Sequence, residues 1–208
     1  MRSTLRFGLI AVLLAAGLLV SAPNANADTF VFTSDHCTGT CGTPPFGTVT
    51  VNQNGTTVDI VVTLAAGYSF VKTGSADFQA FKFNGVGVVV ADITVDPHVP
   101  ALVAATGAFN GNGTGNFVFG INCPSCGGGA SDDFTTPISF HVANATVADL
   151  TQPNASGNIF VADVLAPNGN TGPIDVSTPP ISTPEPATLT LLGIGLFGAG
   201  IVLRKRTR

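Results

Sequence analysis

The feature that most constrains the fold is a two-residue hydrophobic period in short segments separated by turn residues. Every second residue of 58–64 is apolar, and side chains of a β-strand alternate between its two faces, so these residues share one face. The preceding Asn54-Gly55 favours a tight turn to a strand at 48–51. The sequence therefore predicts a β-hairpin here.

Similar segments predict further strands at 78–83, 86–95, 117–121, 138–142 and 160–164. Only 10% of the residues are charged, and the chain has 25 Gly and 14 Pro, a composition typical of all-β domains with many turns. We predict a single all-β, β-sandwich-like domain over 28–175, with jelly-roll and immunoglobulin-like topologies both open. A Pro/Ser/Thr linker follows over 176–183 and should be extended.

The charge distribution restricts the partners of this domain. Six of the 8 basic residues lie near the two ends of the chain, whereas Lys72, Lys82 and all 12 acidic residues lie between them. The central part of the chain is therefore strongly acidic. Nucleic acid is an unsuitable partner, because its binding needs a basic surface that displaces counterions.

The N-terminus predicts a secretory signal peptide over residues 1–27, with a signal helix in its apolar run at 7–20. Basic residues precede this run, and small residues follow it, with Ala25 and Ala27 in an Ala-x-Ala pattern. This order of zones is that of a signal peptide, and signal peptidase would cut after Ala27. A retained membrane anchor is the alternative, although 14 apolar residues are few for a bilayer core of about 30 Å.

The C-terminus predicts a transmembrane helix over 187–203, followed by a basic tail over 204–208. The basic residues that open the tail are Arg204, Lys205 and Arg206. The residues that precede the helix are Pro184, Glu185 and Pro186. Because basic residues beside a membrane span stay cytoplasmic, the domain would face outward. A plain C-terminal anchor without further processing is the alternative.

The Pro-Glu-Pro motif, the glycine-containing apolar helix and the basic tail together resemble the PEP-CTERM sorting signal of Gram-negative bacteria, over residues 184–208. The resemblance implies recognition by an exosortase-type transpeptidase. The protein would be held in the inner membrane until its tail is removed, and would then reach the cell surface, the outer envelope or the medium. Members of this family are often associated with exopolysaccharide and biofilm matrix, which implies exopolysaccharide as a partner.

The four cysteines form two closely spaced pairs, Cys37 with Cys41 and Cys123 with Cys126. In an exported chain an even number of cysteines predicts disulfides, and four of them permit three pairings that sequence does not rank. Zinc bound by the four thiolates, with His36 adjacent, is one alternative. A redox role for the second pair is another, and it would need a thioredoxin-like setting.

The sequence contains no recognisable catalytic motif. The three histidines at 36, 98 and 141 stand apart from any nucleophile motif. Two carboxylate pairs, Asp132 with Asp133 and Asp92 with Asp96, have the residue types of a glycosidase or a calcium site, but a dense Asp-x-Asp-x-Asp-Gly loop is missing. We therefore expect no enzyme activity and no cofactor, with calcium as the one candidate ligand.

These observations favour a non-enzymatic structural or adhesive protein of the cell envelope or extracellular matrix, linked to exopolysaccharide or biofilm. A calcium- or carbohydrate-binding surface module on the same β scaffold is the alternative. A secreted hydrolase is a third hypothesis, and it would need a catalytic cleft that the few histidines and acidic pairs do not indicate.

Overall fold

The computed structural model describes residues 27–72, 78–177 and 181–182, and antiparallel β-strands dominate these residues. The prediction of an all-β domain is confirmed. The choice between jelly-roll and immunoglobulin-like topologies stays open. The predicted signal helix and transmembrane helix lie outside the described residues.

The first sheet has six strands in the order β14-β1-β3-β4-β11-β7. Its strands are β1 (Ala27–Phe32), β3 (Gly47–Asn54), β4 (Thr57–Leu64), β7 (Ile93–Val95), β11 (Ile138–Ala143) and β14 (Ile181–Ser182). The predicted hairpin is β3–β4, which pairs from Gly47 with Leu64 to Asn54 with Thr57. Alternate residues of these two strands are buried, as the hydrophobic period predicts.

The second sheet has eight strands. They are β2 (Ser34–Asp35), β5 (Ser69–Lys72), β6 (Phe81–Phe83), β8 (Val103–Asn110), β9 (Asn116–Asn122), β10 (Gly129–Phe134), β12 (Phe160–Leu165) and β13 (Thr171–Val176). One edge of β12 pairs with β13, and the other edge pairs with β6 and then with β5. The β8–β9 hairpin continues the sheet beyond β6.

The inner faces of the two sheets share one aromatic core. Phe81 of the second sheet lies 6.0 Å from Phe140 of the first sheet, between ring centroids, and 5.8 Å from Phe160. Phe83 lies 5.1 Å from Phe140. The recurrence of Phe at strand spacing therefore reflects burial in the core, where such rings make favourable offset and edge contacts.

Helical structure among the described residues is limited to two short turns. A 3₁₀ helix covers Val90–Asp92, and a single α-helical turn, α1, covers Val147–Leu150. Thr146 precedes α1, and its backbone N–H donates to the Asp149 carboxylate at 2.8 Å while its hydroxyl accepts from the Asp149 N–H at 3.3 Å. This reciprocal pair is a capping box, which explains where the turn begins.

The prediction of a strand at 86–95 is wrong for the first part of this range. Only Ile93–Val95 forms a strand, and the residues before it form a loop and the 3₁₀ helix. Val86 and Val89 are exposed rather than alternately buried, and Gly87 has φ of +73°, a left-handed conformation that interrupts a strand. The strand predicted at 78–83 is likewise shorter, since β6 begins at Phe81.

The predicted domain boundaries stay predictions, and a strand lies beside each of them. Ala27, the predicted last residue of the signal peptide, begins β1 and pairs with Asn52. Val176 ends β13, and within the predicted linker Ile181–Ser182 pairs with Thr29 and Asp28 as β14. Among the described residues, no helix combines the length and hydropathy needed to span a membrane.

Candidate functional site

The first disulfide joins Cys37 to Cys41 in the loop after β2. The Asp35 carboxylate organises this loop, because it accepts from the backbone N–H of Cys37 at 3.4 Å and of Cys41 at 3.3 Å. The Tyr68 hydroxyl donates to the Cys41 carbonyl at 2.8 Å. Burial, together with the negative charge of Asp35, raises the pKa of Tyr68, so the hydroxyl keeps its proton and remains a donor.

The same loop has the residue types of a metal site. The Asp35 carboxylate and the two sulfurs lie within 4.8 Å of one another. The sulfurs are bonded to each other, however, and zinc binds cysteine as the thiolate. The other two cysteines are also joined, Cys123 to Cys126. The prediction of disulfides is therefore confirmed, and the pairing that sequence left open is the local one.

The second disulfide lies between β9 and β10. The Lys72 ammonium donates to the Cys126 carbonyl at 3.1 Å, which ties this loop to the end of β5. Strands of one antiparallel sheet flank the disulfide on both sides. A thioredoxin-like redox site instead places its cysteines at the start of a helix in a βαβ unit. The setting therefore favours a structural role.

His141 forms an ionisable cluster with two carboxylates on the outer face of the first sheet. Its Nδ1 lies 2.7 Å from Asp59 Oδ1, and its Nε2 lies 2.8 Å from Asp96 Oδ1. The hydrogen bond with Asp59 is the largest influence and raises the pKa of His141; burial opposes it, and Asp96 adds to it. A histidine held between two carboxylates favours the charged form and acts as an ionic link between β4, β11 and the residue after β7.

The other two histidines also have structural partners. His36 Nε2 lies 3.0 Å from a carboxylate oxygen of Asp175, which is buried in β13. His98 contacts the carbonyl oxygens of Pro100 at 2.7 Å and Thr136 at 3.3 Å. The His36 contact fixes the loop after β2 to β13, and the His98 contacts join the loop before β8 to the loop before β11. None of them places a histidine against a hydroxyl or thiol nucleophile.

The carboxylate pair at Asp132 and Asp133 lies at a surface cleft of about 380 Å³. The other lining residues are Val99, Pro100, Ser125 and Cys126. One Asp132 oxygen accepts from the Gly127 N–H at 2.8 Å, which closes the loop between the second disulfide and β10. The cleft therefore offers carboxylate oxygens beside apolar walls, an arrangement suited to a cation or a small polar ligand.

The second carboxylate pair does not form a joint site. Asp92 accepts from the Val89 N–H at 3.0 Å and so caps the 3₁₀ helix, and it also accepts from Asn144 at 3.4 Å. Asp96 binds His141 instead. The two carboxylates thus serve different local contacts, although they stand four positions apart in the sequence.

A buried charged pair that the sequence motifs did not predict lies in the second sheet. Lys82 Nζ lies 2.9 Å from Asp163 Oδ2, and each side chain is 1% exposed. Two local signals point to it. Lys82 stands between Phe81 and Phe83, and Asp163 interrupts the apolar strand β12. A charged residue inside such a strand is almost never buried without a partner.

Most of the predicted processing residues lie outside the described part of the chain. Those outside it are Ala25, Pro184, Glu185, Pro186, Arg204, Lys205 and Arg206. Among known families, the model of the PEP-CTERM protein-sorting motif matches residues 182–206, which include the last six of these. No curated protein and no solved structure matched the chain. The chain is thus a protein with a C-terminal PEP-CTERM sorting motif, which indicates sorting by an exosortase-type system and display outside the cell.

Proposed function

We propose that the β domain is a non-enzymatic structural or adhesive component of the bacterial cell surface or extracellular matrix, linked to exopolysaccharide or biofilm. The sorting motif supports the location. The single observation that supports an adhesive role is an uncharged outer surface on an otherwise acidic domain. That surface is the β8–β9 hairpin with its flanking loops, residues 99–131, which contain no Asp, Glu, Lys, Arg or His.

The uncharged hairpin exposes apolar side chains. Val103 is 44% exposed and Val118 is 48% exposed, and both lie on the outer face because their neighbours Phe117, Phe119 and Leu102 are buried. Val99, in the loop before β8, is 87% exposed. An uncharged matrix partner that binds this surface does not have to desolvate a charged side chain, because all acidic residues of the domain lie outside residues 99–131.

Lysine substitution at the exposed valines tests the adhesive role. Val103→Lys and Val118→Lys should lower the ratio of matrix-bound to released protein by about tenfold, the factor that 1.4 kcal/mol of binding free energy represents. Val61→Lys is the matched control, because Val61 is 39% exposed on the outer face of the first sheet. Quantitative immunoblotting of the host's matrix and medium measures this ratio. An equal ratio for all three variants and the wild type would contradict the proposal.

A calcium- or carbohydrate-binding module is the second candidate, and the cleft beside Asp132 and Asp133 favours it. A ligand that binds only the folded protein stabilises it and so raises its melting temperature. The added stability is about 2.7 kcal/mol when the ligand concentration is one hundred times the dissociation constant. Calcium should then raise the melting temperature of the wild type but not of Asp133→Asn. Asp149→Asn, at the cap of α1, is the control that keeps the response.

A further inference from the structure

Lys82 and Asp163 face each other on the outer side of the second sheet. Phe81 and Phe83 point into the core, so Lys82 between them points to the opposite face. On the adjacent strand, Ala162 and Val164 belong to the core, so Asp163 lies on the same outer face as Lys82. The two side chains meet at 2.9 Å between Nζ and Oδ2.

The pair is closed off from solvent although it lies on an outer face. Both side chains are 1% exposed, and Val161, the residue of β12 that pairs with Lys82, is 0% exposed. On the other flank Lys82 pairs with Gly120 of β9. The Gln79 side chain covers this glycine so closely that a Cβ there would lie 2.6 Å from Gln79 Cγ.

Burial changes the chemistry of the pair. An ammonium and a carboxylate both lose their hydration in such a site, and their contact at 2.9 Å offsets part of this cost. Transfer of one proton from Lys82 to Asp163 gives a neutral amine beside a neutral carboxylic acid. The amine then has a lone pair for attack, and the electrophile is the acid carbon Cγ, which is bonded to the Oδ2 that Nζ contacts at 2.9 Å. Lysine acts as a nucleophile in this desolvated form.

We propose that Lys82 and Asp163 are joined by an intramolecular isopeptide bond. The lone pair of Nζ attacks Cγ, a C–N bond forms, and the C–OH bond of the acid breaks. The hydroxyl leaves with a proton from the nitrogen as one water molecule, so the reaction needs no oxidant, reductant or other reactant. The product is a neutral side-chain amide between β6 and β12.

Two features of the site favour this condensation. Groups held in contact by a fold react with effective molarities of up to about 10⁵–10⁸ M, because their translational and rotational freedom is already lost. The closed packing also keeps out the water that would hydrolyse the amide, and it replaces a buried ion pair with a neutral group. The inference is independent of the adhesive role proposed above.

Intact mass after disulfide reduction tests the bond directly. The secreted wild-type protein should be lighter by one water molecule than the mass calculated for its linear chain. Tandem mass spectrometry of a digest should find one branched peptide that contains both Lys82 and Asp163. Asp163→Asn should instead lose one ammonia, because Lys82 would displace the amide nitrogen. Lys82→Arg should lose nothing, and Lys72→Arg is the matched control that keeps the loss of water.

The wild-type result decides the matter even where a variant fails to fold. A full mass, with Lys82 and Asp163 in separate linear peptides, would overturn the proposal. A loss of water confined to a single linear peptide, as a succinimide would give, would overturn it as well. A loss of water that persists in Lys82→Arg would have the same meaning.

Discussion

His141 binds its proton more tightly in the folded protein than in the unfolded chain, because Asp59 and Asp96 hold both of its ring nitrogens. Its pKa is raised above the ordinary 6.5. The stabilisation is therefore fully present below that value and is lost as the pH rises through the raised folded-state pKa. Its size is about 1 kcal/mol or less, since the ring is 42% exposed and solvent screens such pairs.

We expect Asp59→Asn to lower the pKa of His141 by more than Asp96→Asn does. The hydrogen bond from Asp59 is the largest cause of the raised pKa, and the influence of Asp96 is smaller. Titration of the imidazole resonances by nuclear magnetic resonance measures both variants. Asp149→Asn, at the cap of α1, should leave the titration unchanged. A larger effect at Asp96 would show that this assignment of causes is incorrect.

Tyr68→Phe should destabilise the fold by about 1 kcal/mol, the usual net contribution of a buried hydrogen bond. The substitution removes the donor at 2.8 Å from the Cys41 carbonyl without changing the ring that packs against Phe46. Chemical denaturation measures the difference. Thr106→Val is the control, because its hydroxyl contacts the Val118 carbonyl at an exposed position; an equal loss there would rule out burial as the cause.

Among the elements, β6 contributes two aromatic rings, Phe81 and Phe83, to the contact between the sheets. Phe81 lies against Phe83, Phe140 and Phe160 and is fully buried. Phe81→Ala should lower the free energy of unfolding by about 3–5 kcal/mol, the cost of removing a buried aromatic ring and leaving a cavity.

Phe78→Ala is the matched control for this substitution. Phe78 is 44% exposed and precedes the same strand, where its ring lies beneath the Lys72 ammonium. Its removal should change the free energy of unfolding by about 0.5 kcal/mol or less, as for most surface substitutions. Similar losses for the two variants in urea denaturation would contradict the placement of Phe81 in the core.

The strands that could be predicted from sequence are those with an apolar and a polar face. In β4 and β11 one face is buried and the other meets solvent, so the period of two is visible. β13 is buried nearly throughout and contains Gly172 and Pro173, and β10 is exposed over most of its length. These strands form because of their pairing partners, and local sequence does not report such partners.

For the candidate sites, the sequence indicated some of the residues but not which residues meet in the fold. Export implied disulfides, but the pairing depends on the loop that Asp35 organises through backbone N–H groups. The His141 cluster joins residues of three separate segments, 82 and 45 positions apart, so spacing along the chain carries no signal for it. Lys82 was visible as a charge between two phenylalanines, and Asp163 as a charge within an apolar strand, but the sequence does not show that the two residues pair.

On the scale of the whole molecule, the two ends of the β domain lie at the same edge of the first sheet. Asp28 pairs with Ser182. The predicted signal-peptidase site precedes Asp28, and the region that matches the sorting-motif family begins at Ser182. Cutting after Ala27 would leave β1 from Asp28 onward, and removal of residues beyond the Pro-Glu-Pro motif would leave β14. Both processing steps are therefore compatible with an intact domain.

The most direct test of sorting is the intact mass of the protein isolated from the envelope and the culture medium of its native host. We predict a chain that begins at Asp28 and ends near Pro184-Glu185-Pro186, with all four cysteines resistant to alkylation before reduction. A mass that retains Arg204 and the rest of the basic tail in both fractions would contradict exosortase-type processing, and it would identify the protein as tail-anchored instead.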